Sequence, residues 1–397
     1  MSSVSSAAGV SPWPDKKEED MPLFDREFMN YYPLKDRKSK VNIGSACIYE
    51  DKWDHPIPEF LERTTERIAG EIISAREKGA SVICAFGAHA IKNGLGKLLG
   101  EMLANGWFTQ LAANGAAVIH DWEFAYLGKS SEDVRENAAE GRFGAWEETG
   151  LYINLALALG AYEGSGYAAS VAKMICGNGL LIPGRNELLE NCDASKIKSG
   201  KNVATASAAL DLYELIEKLG IPSGFLSIAH PFSDYSLLAA ARRAERPLTC
   251  HPMFGHDIIY THRANRGAAI GRTAERDFLE YVSGITALEG GVYLSVGSAV
   301  MSPMIFEKAL SMARNAAGKN SAEKNTIRDC DIHVVDLQES NWDWSRGEPP
   351  MDNSAYYHRF MKTFNRMGMR VDYTCADNRD FFVSLCRSLK KKTRLQK

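Results

Sequence analysis

Short apolar runs alternate along this chain with longer stretches of helical period. Ser81-Val-Ile-Cys-Ala-Phe86 is apolar throughout, as a strand buried on both faces must be. Similar runs recur at Trp107–Ala113, Gly224–Ile228, Pro247–Cys250, Gly291–Val296, Asp331–Asp336 and Arg370–Cys375. Between them the apolar positions return every three or four residues, the spacing of a helix with one face inward. Such stretches predict helices over Glu59–Lys78, Asn93–Ala104, Ala145–Leu159, Thr205–Leu219, Ser236–Ala244, Ala274–Gly284 and Ser354–Arg366. Pro303 marks the first turn of another, and a last helix runs to about Leu389. Strand–helix alternation over the whole body predicts an α/β fold with a doubly wound, mainly parallel sheet.

The segment Gly87–Glu123 organises this pattern. It joins two strand runs through a helix, as parallel strands require. Ligands of open α/β sheets bind beyond the carboxyl ends of the strands. Six strand ends here deliver polar or glycine residues: Gly87 to His89, Asn114-Gly115 with His120-Asp121, His251 with His256-Asp257, Gly297-Ser298, Glu339 with Asp343, and Ala376-Asp377. A dinucleotide needs such an edge. Gly297-Ser298 and the Gly87–Asn93 turn can offer backbone N–H groups to a pyrophosphate, and Asp377 or Asp121 a carboxylate to a ribose. Gly164-Ser-Gly166-Tyr-Ala-Ala169 has the GxGxxA spacing but follows a helix, so it reads as a loop and helix cap.

Composition narrows the classes. The chain has 397 residues, 45% hydrophobic and 24% charged, and a net charge of -3, which argues against a general nucleic-acid binder. No apolar run approaches the ~20 residues of a membrane helix, so no membrane partner is expected. Residues 1–20 read as a disordered lead-in, 21–389 as one domain, and 390–397 as a basic tail. The eight cysteines form no CxxC pair and read as free thiols of a cytoplasmic protein.

Two further groups carry candidate chemistry. His251, His256, Asp257 and His262 admit a metal reading, but their spacing matches no usual helical metal motif, and no metal is expected. Lys362 sits among Tyr356, Tyr357, Phe360 and Phe364, where a lysine can become an imine-forming nucleophile or reach out to solvent.

From about residue 80 onward the chain resembles the deoxyhypusine synthase family. Ala88-His89 to Lys92-Asn93-Gly94 stands where the family has its first NAD turn, and Ala112-Ala-Asn114-Gly115-Ala116 with His120-Asp121 resembles its Thr-Thr-Ala-Gly-Gly with trailing acids. Gly179-Leu-Leu-Ile-Pro183 resembles Gly-Asn-Leu-Leu-Val-Pro. Gly255-His-Asp257 to His262 resembles the substrate segment Gly-Asp-Met-Ile-Phe-Phe-His. Val296-Gly297-Ser298 stands at the Gly-Gly-Gly turn and Ala376-Asp377 at the late Ala-Asp. The resemblance implies an NAD-binding fold of that type, a homotetramer with sites at subunit interfaces, and transfer of an aminobutyl group from spermidine to a protein lysine or small amine through an imine. It places NAD at His89, Asn93, Gly94, Asn114, Gly115, His120, Asp121, Gly297, Ser298, Ala376 and Asp377. His262 and Asp257 would hold or deprotonate the polyamine, and Asp343 and Glu348 would bind its ammonium groups. The family's active-site lysine has its nearest match in Lys362, given a short insertion. The sequence departs from the family at Ala88-His89 and at His120. It therefore also admits an NAD-linked enzyme of other chemistry, with His120 or His262 as acid/base, or a non-catalytic NAD-binding paralogue.

Overall fold

A computed structural model describes residues 23–192, 200–320 and 327–395. The lead-in expected over residues 1–20 lies outside them. Six parallel strands form the central sheet: β1 (Val82–Phe86), β2 (Gln110–Ala113), β3 (Leu248–Cys250), β4 (Gly291–Val296), β5 (Cys330–Asp336) and β6 (Arg370–Cys375). Across the sheet they run β3-β2-β1-β4-β5-β6. This is the doubly wound order, in which the winding reverses between β1 and β4. The expected α/β class therefore holds.

Alternation within each strand feeds two cores. Val82, Cys84 and Phe86 point to one face, and Ile83 and Ala85 to the other. Helices α1 (Glu59–Glu77), α2 (Ala88–Lys92), α3 (Gly96–Ala104), α4 (Gly115–Leu127), α5 (Glu147–Glu163) and α6 (Tyr167–Gly177) all contribute to the first core. Residues of α7 (Gly267–Thr286), α8 (Met301–Asn320) and α9 (Arg359–Asn365) make the second. Helix α10 (Asn378–Leu395) returns to the first face, where Phe381, Leu385 and Leu389 meet Leu61, Ile68 and Ile72 of α1.

Several boundaries differ from the sequence reading, each for a local reason. The helix expected over Asn93–Ala104 is two helices, α2 and α3, because Gly94 adopts φ +85° between them. A Cβ at Gly94 would lie 1.9 Å from the Ala46 carbonyl oxygen, so the N-terminal segment breaks this helix by packing onto it. Helix Ser354–Arg366 likewise divides into a 3-10 turn, Ser354–Tyr357, and α9. The strand expected at Gly224–Ile228 lies outside the central sheet: Gly224–Ser227 pairs antiparallel with Gly179–Ile182 in a separate two-stranded ribbon. Residues 390–395, expected as part of a free tail, are the last turns of α10, where Lys390 pairs with Glu50 and Glu101.

The GxGxxA segment is indeed a helix cap, and its occupant is internal. Gly166 precedes α6, and the Asp277 carboxylate of α7 accepts from Ala168 N (3.0 Å) and Cys250 N (2.7 Å). A Cβ on Gly166 would lie 1.8 Å from Asp277 Oδ1. Burial pushes Asp277 up to about 7 from an ordinary 3.8, against the pull of these N–H groups. The folded chain thus holds this proton more tightly than the unfolded chain. Stability against urea should decline as pH rises between 3.8 and about 7, and Asp277→Asn should flatten the upper end of that slope. A midpoint that rises with pH over this window would contradict the assignment.

Candidate functional site

The carboxyl ends of the strands open on two cavities, one on each side of the short helix α2. The first, of about 210 Å³, lies at the ends of β4, β5 and β6 and is lined by His89, Asn93, Gly297, Asp336, Ala376 and Asp377, among others. The second, of about 230 Å³, lies beside α4 and is lined by Arg37, Lys92, His120, Glu123, His256 and Asp257, among others.

At the first cavity β1 and β4 end in glycines whose backbones nearly touch. A Cβ on Gly87 would lie 2.1 Å from the Gly297 carbonyl oxygen, and Gly297 itself is left-handed at φ +58°. Ser298 Oγ accepts from Ser302 N and so caps the following helix. Ala376 donates its N–H to the Asp336 carbonyl. Asp377 is occupied by its neighbour: Arg379 donates to it from its backbone N, Nε and Nη2, holding its carboxyl below the usual range. Asp336, which the sequence reading passed over, accepts only a 3.3 Å bond from Gln338 N among the described residues. It is the freer carboxylate here. Asn93 Nδ2 donates to Asn378 Oδ1, tying α2 to the start of α10.

The second cavity is organised by α4, which begins as β2 ends. Asn114 caps it by accepting from Ala117 N. Gly115 follows, and a Cβ there would lie 2.2 Å from Asp257 Oδ2. That oxygen is buried without a hydrogen-bond partner among the described residues, and burial pushes Asp257 up to about 6. One turn on, His120 and Glu123 share a helix face. His120 Nδ1 lies 2.7 Å from Ser130 Oγ, which donates to Glu123 Oε2 at 2.5 Å. Arg37 meets Glu123 with two parallel bonds of 2.8 and 2.7 Å, and Thr149 Oγ1 adds a third donor at 2.9 Å. Burial would raise Glu123, but the Arg37 guanidinium outweighs it and keeps the carboxylate ionised. Burial lowers His120 to about 4, with Lys92, Arg37 and His89 adding to the effect and Glu123 opposing it. Lys92 has no ion-pair partner among the described residues.

Other residues expected at the site have structural duties. Asp121, turned about 100° around α4 from His120, accepts from Ser236 Oγ, Leu237 N and Leu238 N and so anchors the helix Leu237–Arg243. Gly94 serves the packing of the N-terminal segment. His262 is buried, accepts from Ala264 N through Nδ1 and reaches Glu147 through Nε2 at 3.4 Å. It packs against Tyr31 and Gly150 and lines neither cavity. Asp343 is exposed and caps a 3-10 turn through Ser345, and Glu348 pairs with Arg366. Lys362 lies over the Tyr356 ring, 3.4 Å from its centroid, and also lines neither cavity. The histidines do not assemble into a metal centre: His251 bonds Thr249 Oγ1, and His256 bonds the Phe254 carbonyl. Among the described residues one group has metal-ligand proximity, Glu50, Glu101 and Cys386, and both of its carboxylates are paired with Lys390.

Asp121→Asn separates a cap from a cofactor contact. An amide cannot accept from all three donors, so one buried N–H or O–H loses its partner at a cost of about 1–3 kcal/mol. The urea midpoint should fall while ligand affinity at the first cavity is unchanged.

No protein-family model matches the chain, and no curated protein matches it. Among solved structures, a conserved LOR/SDH protein from Methanococcus maripaludis S2 is similar at 12% identity, over 96% of this chain and 76% of that one, with a TM-score of 0.40. AgrE, solved as a ternary complex with ornithine and NAD+, is similar at 14% identity over 84% of this chain, TM-score 0.39. ArgZ, an arginine dihydrolase of the cyanobacterial ornithine–ammonia cycle, is similar at 12% identity over 83% of this chain, TM-score 0.38. The chain spans about a third of the length of the last two, 34% and 33%. Likeness at this level does not speak for an activity. Among the described residues no helix is long and apolar enough to cross a membrane.

Proposed function

We propose that this protein is an enzyme that binds a nicotinamide dinucleotide at the β1/β4 switch point and performs acid–base chemistry on a small substrate in the neighbouring cavity, with His120 as the proton-transferring group. One observation carries the reading: a crevice at the switch point adjoins a cavity where Lys92 and Asp257 Oδ2 have no side-chain partner among the described residues, with α2 between them. The residues present suit the cofactor. Gly87 and Gly297 leave the backbone bare where a pyrophosphate must approach, and Asp336 can accept from a ribose hydroxyl. Bound there, the dinucleotide supplies hydride acceptance or donation. The chain itself binds the substrate, moves its proton and orients His120.

Calorimetry with NAD+, NADH, NADP+ and NADPH tests this. At least one should bind, and Gly87→Ala, whose methyl would strike the Gly297 carbonyl, should weaken it. Absence of binding by all four would sink the reading.

The deoxyhypusine synthase resemblance supports a second reading, aminobutyl transfer from spermidine to a protein lysine or small amine by a homotetramer. The imine would form on Lys362. Its supporting observation is the neighbourhood of Lys362 and Glu348 on the β5–β6 side of the sheet. We rank it second because Lys362, Asp343 and Glu348 line neither cavity.

A further inference from the structure

Ser130 has one hydroxyl hydrogen, and the 2.5 Å contact to an ionised Glu123 claims it. Glu123 is an acceptor only, since two Arg37 bonds hold it as a carboxylate. Ser130 Oγ can therefore meet His120 Nδ1 only as an acceptor, so Nδ1 must carry the hydrogen. The neutral ring then has its lone pair on Nε2, which makes no hydrogen bond among the described residues and is the ring nitrogen left for the cavity. The charges around this ring are Arg37, which is spent on Glu123, Glu132, which is spent on Trp146 and Asn137, and Lys92, His89, His256 and Asp257. Of these, Lys92 is the half-buried cation without a carboxylate.

We propose that the second cavity receives a small carboxylic acid bearing a hydroxyl or amino group, whose carboxylate pairs with Lys92 and whose O–H or N–H proton passes to His120 Nε2, with Ser130 and Glu123 as positioning residues that fix the tautomer. The proposal rests on the functional reading above and names its substrate class. The proton balance is simple. The substrate group loses a proton to Nε2, the ring becomes an imidazolium, and its Nδ1–H keeps its bond to Ser130. Ligand and base are coupled, because Lys92 is one of the charges that disfavour the imidazolium. A carboxylate laid against Lys92 removes that repulsion and makes His120 a stronger base when substrate is present.

Nitrogen-15 spectra of the full chain labelled at histidine read the tautomer directly. At neutral pH His120 should be in the Nδ1–H form, and Ser130→Ala should shift it toward a mixture. Glycolate and glycine should perturb Nε2 and bind at least about tenfold more weakly to Lys92→Met. Spermidine, which has no anionic group, should bind no better to wild type than to Lys92→Met. A resting Nε2–H form would overturn the positioning role. Failure of both acids to bind, or binding that ignores Lys92→Met, would overturn the substrate class. These outcomes are separate from the cofactor titration: acids that bind through Lys92 to a protein that ignores all four dinucleotides would remove the cofactor reading and leave this site standing.

Discussion

Arg37→Met should destabilise the folded protein by about 3–5 kcal/mol, the effect of leaving a buried carboxylate without its partner. Both side chains of the Arg37–Glu123 pair are 1% exposed, so water cannot take over from the guanidinium. Ser130 and Thr149 would still donate to Glu123, but two neutral hydroxyls do not replace a cation. Arg37 also lies over the Trp146 ring, 5.6 Å from its centroid, and that contact goes too. Chemical denaturation measures the loss. The double variant Arg37→Met, Glu123→Gln decides its cause. With the charge gone, the glutamine oxygen can still accept from a hydroxyl, and much of the stability should return. A double variant as unstable as the single one would show that Arg37 acts through packing alone.

The same pair fastens the N-terminal segment over the second cavity. Backbone bonds from Lys40 N to Ser131 O and from Ile43 N to Gly128 O run alongside it. The segment therefore docks on the body of the chain. The single Arg37→Met variant should consequently disturb His120 as well, because Glu123 freed from Arg37 no longer holds Ser130 as a fixed donor.

The strands of the sheet were legible because burial on both faces leaves a continuous apolar run, and each of the six polar segments read from the sequence follows one of them in the chain. Their order across the sheet was not, since it depends on which helices cover which face. Within the site, the helix α4 that puts His120 and Glu123 on one face was not among the helices expected from the sequence, and neither were the parts played by Ser130 and Arg37. Arg37 belongs to a charged stretch whose partner lies 86 positions away. Asp121 misled for a related reason. A carboxylate beside a candidate base looks like a ligand group, yet successive residues on a helix point apart, and its donors come from a helix more than a hundred residues later. Motif resemblance likewise brought Lys362, Asp343, Glu348 and His262 toward the cleft, whereas packing on the second core, surface pairing and the Tyr31 contact hold them elsewhere.

His120→Asn should reduce turnover on a hydroxy or amino acid by about 10²–10⁴-fold, the usual contribution of a positioned proton acceptor. Asparagine is the informative replacement. Its Nδ2 can donate to Ser130 as the imidazole Nδ1–H does, so the Glu123–Ser130 link and the fold survive, while nothing occupies the place of Nε2. Unchanged stability and unchanged dinucleotide affinity would confine the loss to the proton transfer. The acid limb of kcat/KM then identifies the base. His120 is lowered to about 4, so activity that depends on its neutral form persists well below the range of an ordinary imidazole. Asp257 titrates near 6, and an inflection there that vanishes in Asp257→Asn would transfer the role to that carboxylate. A His120→Asn enzyme that turns over at the wild-type rate would exclude His120 from the chemistry outright.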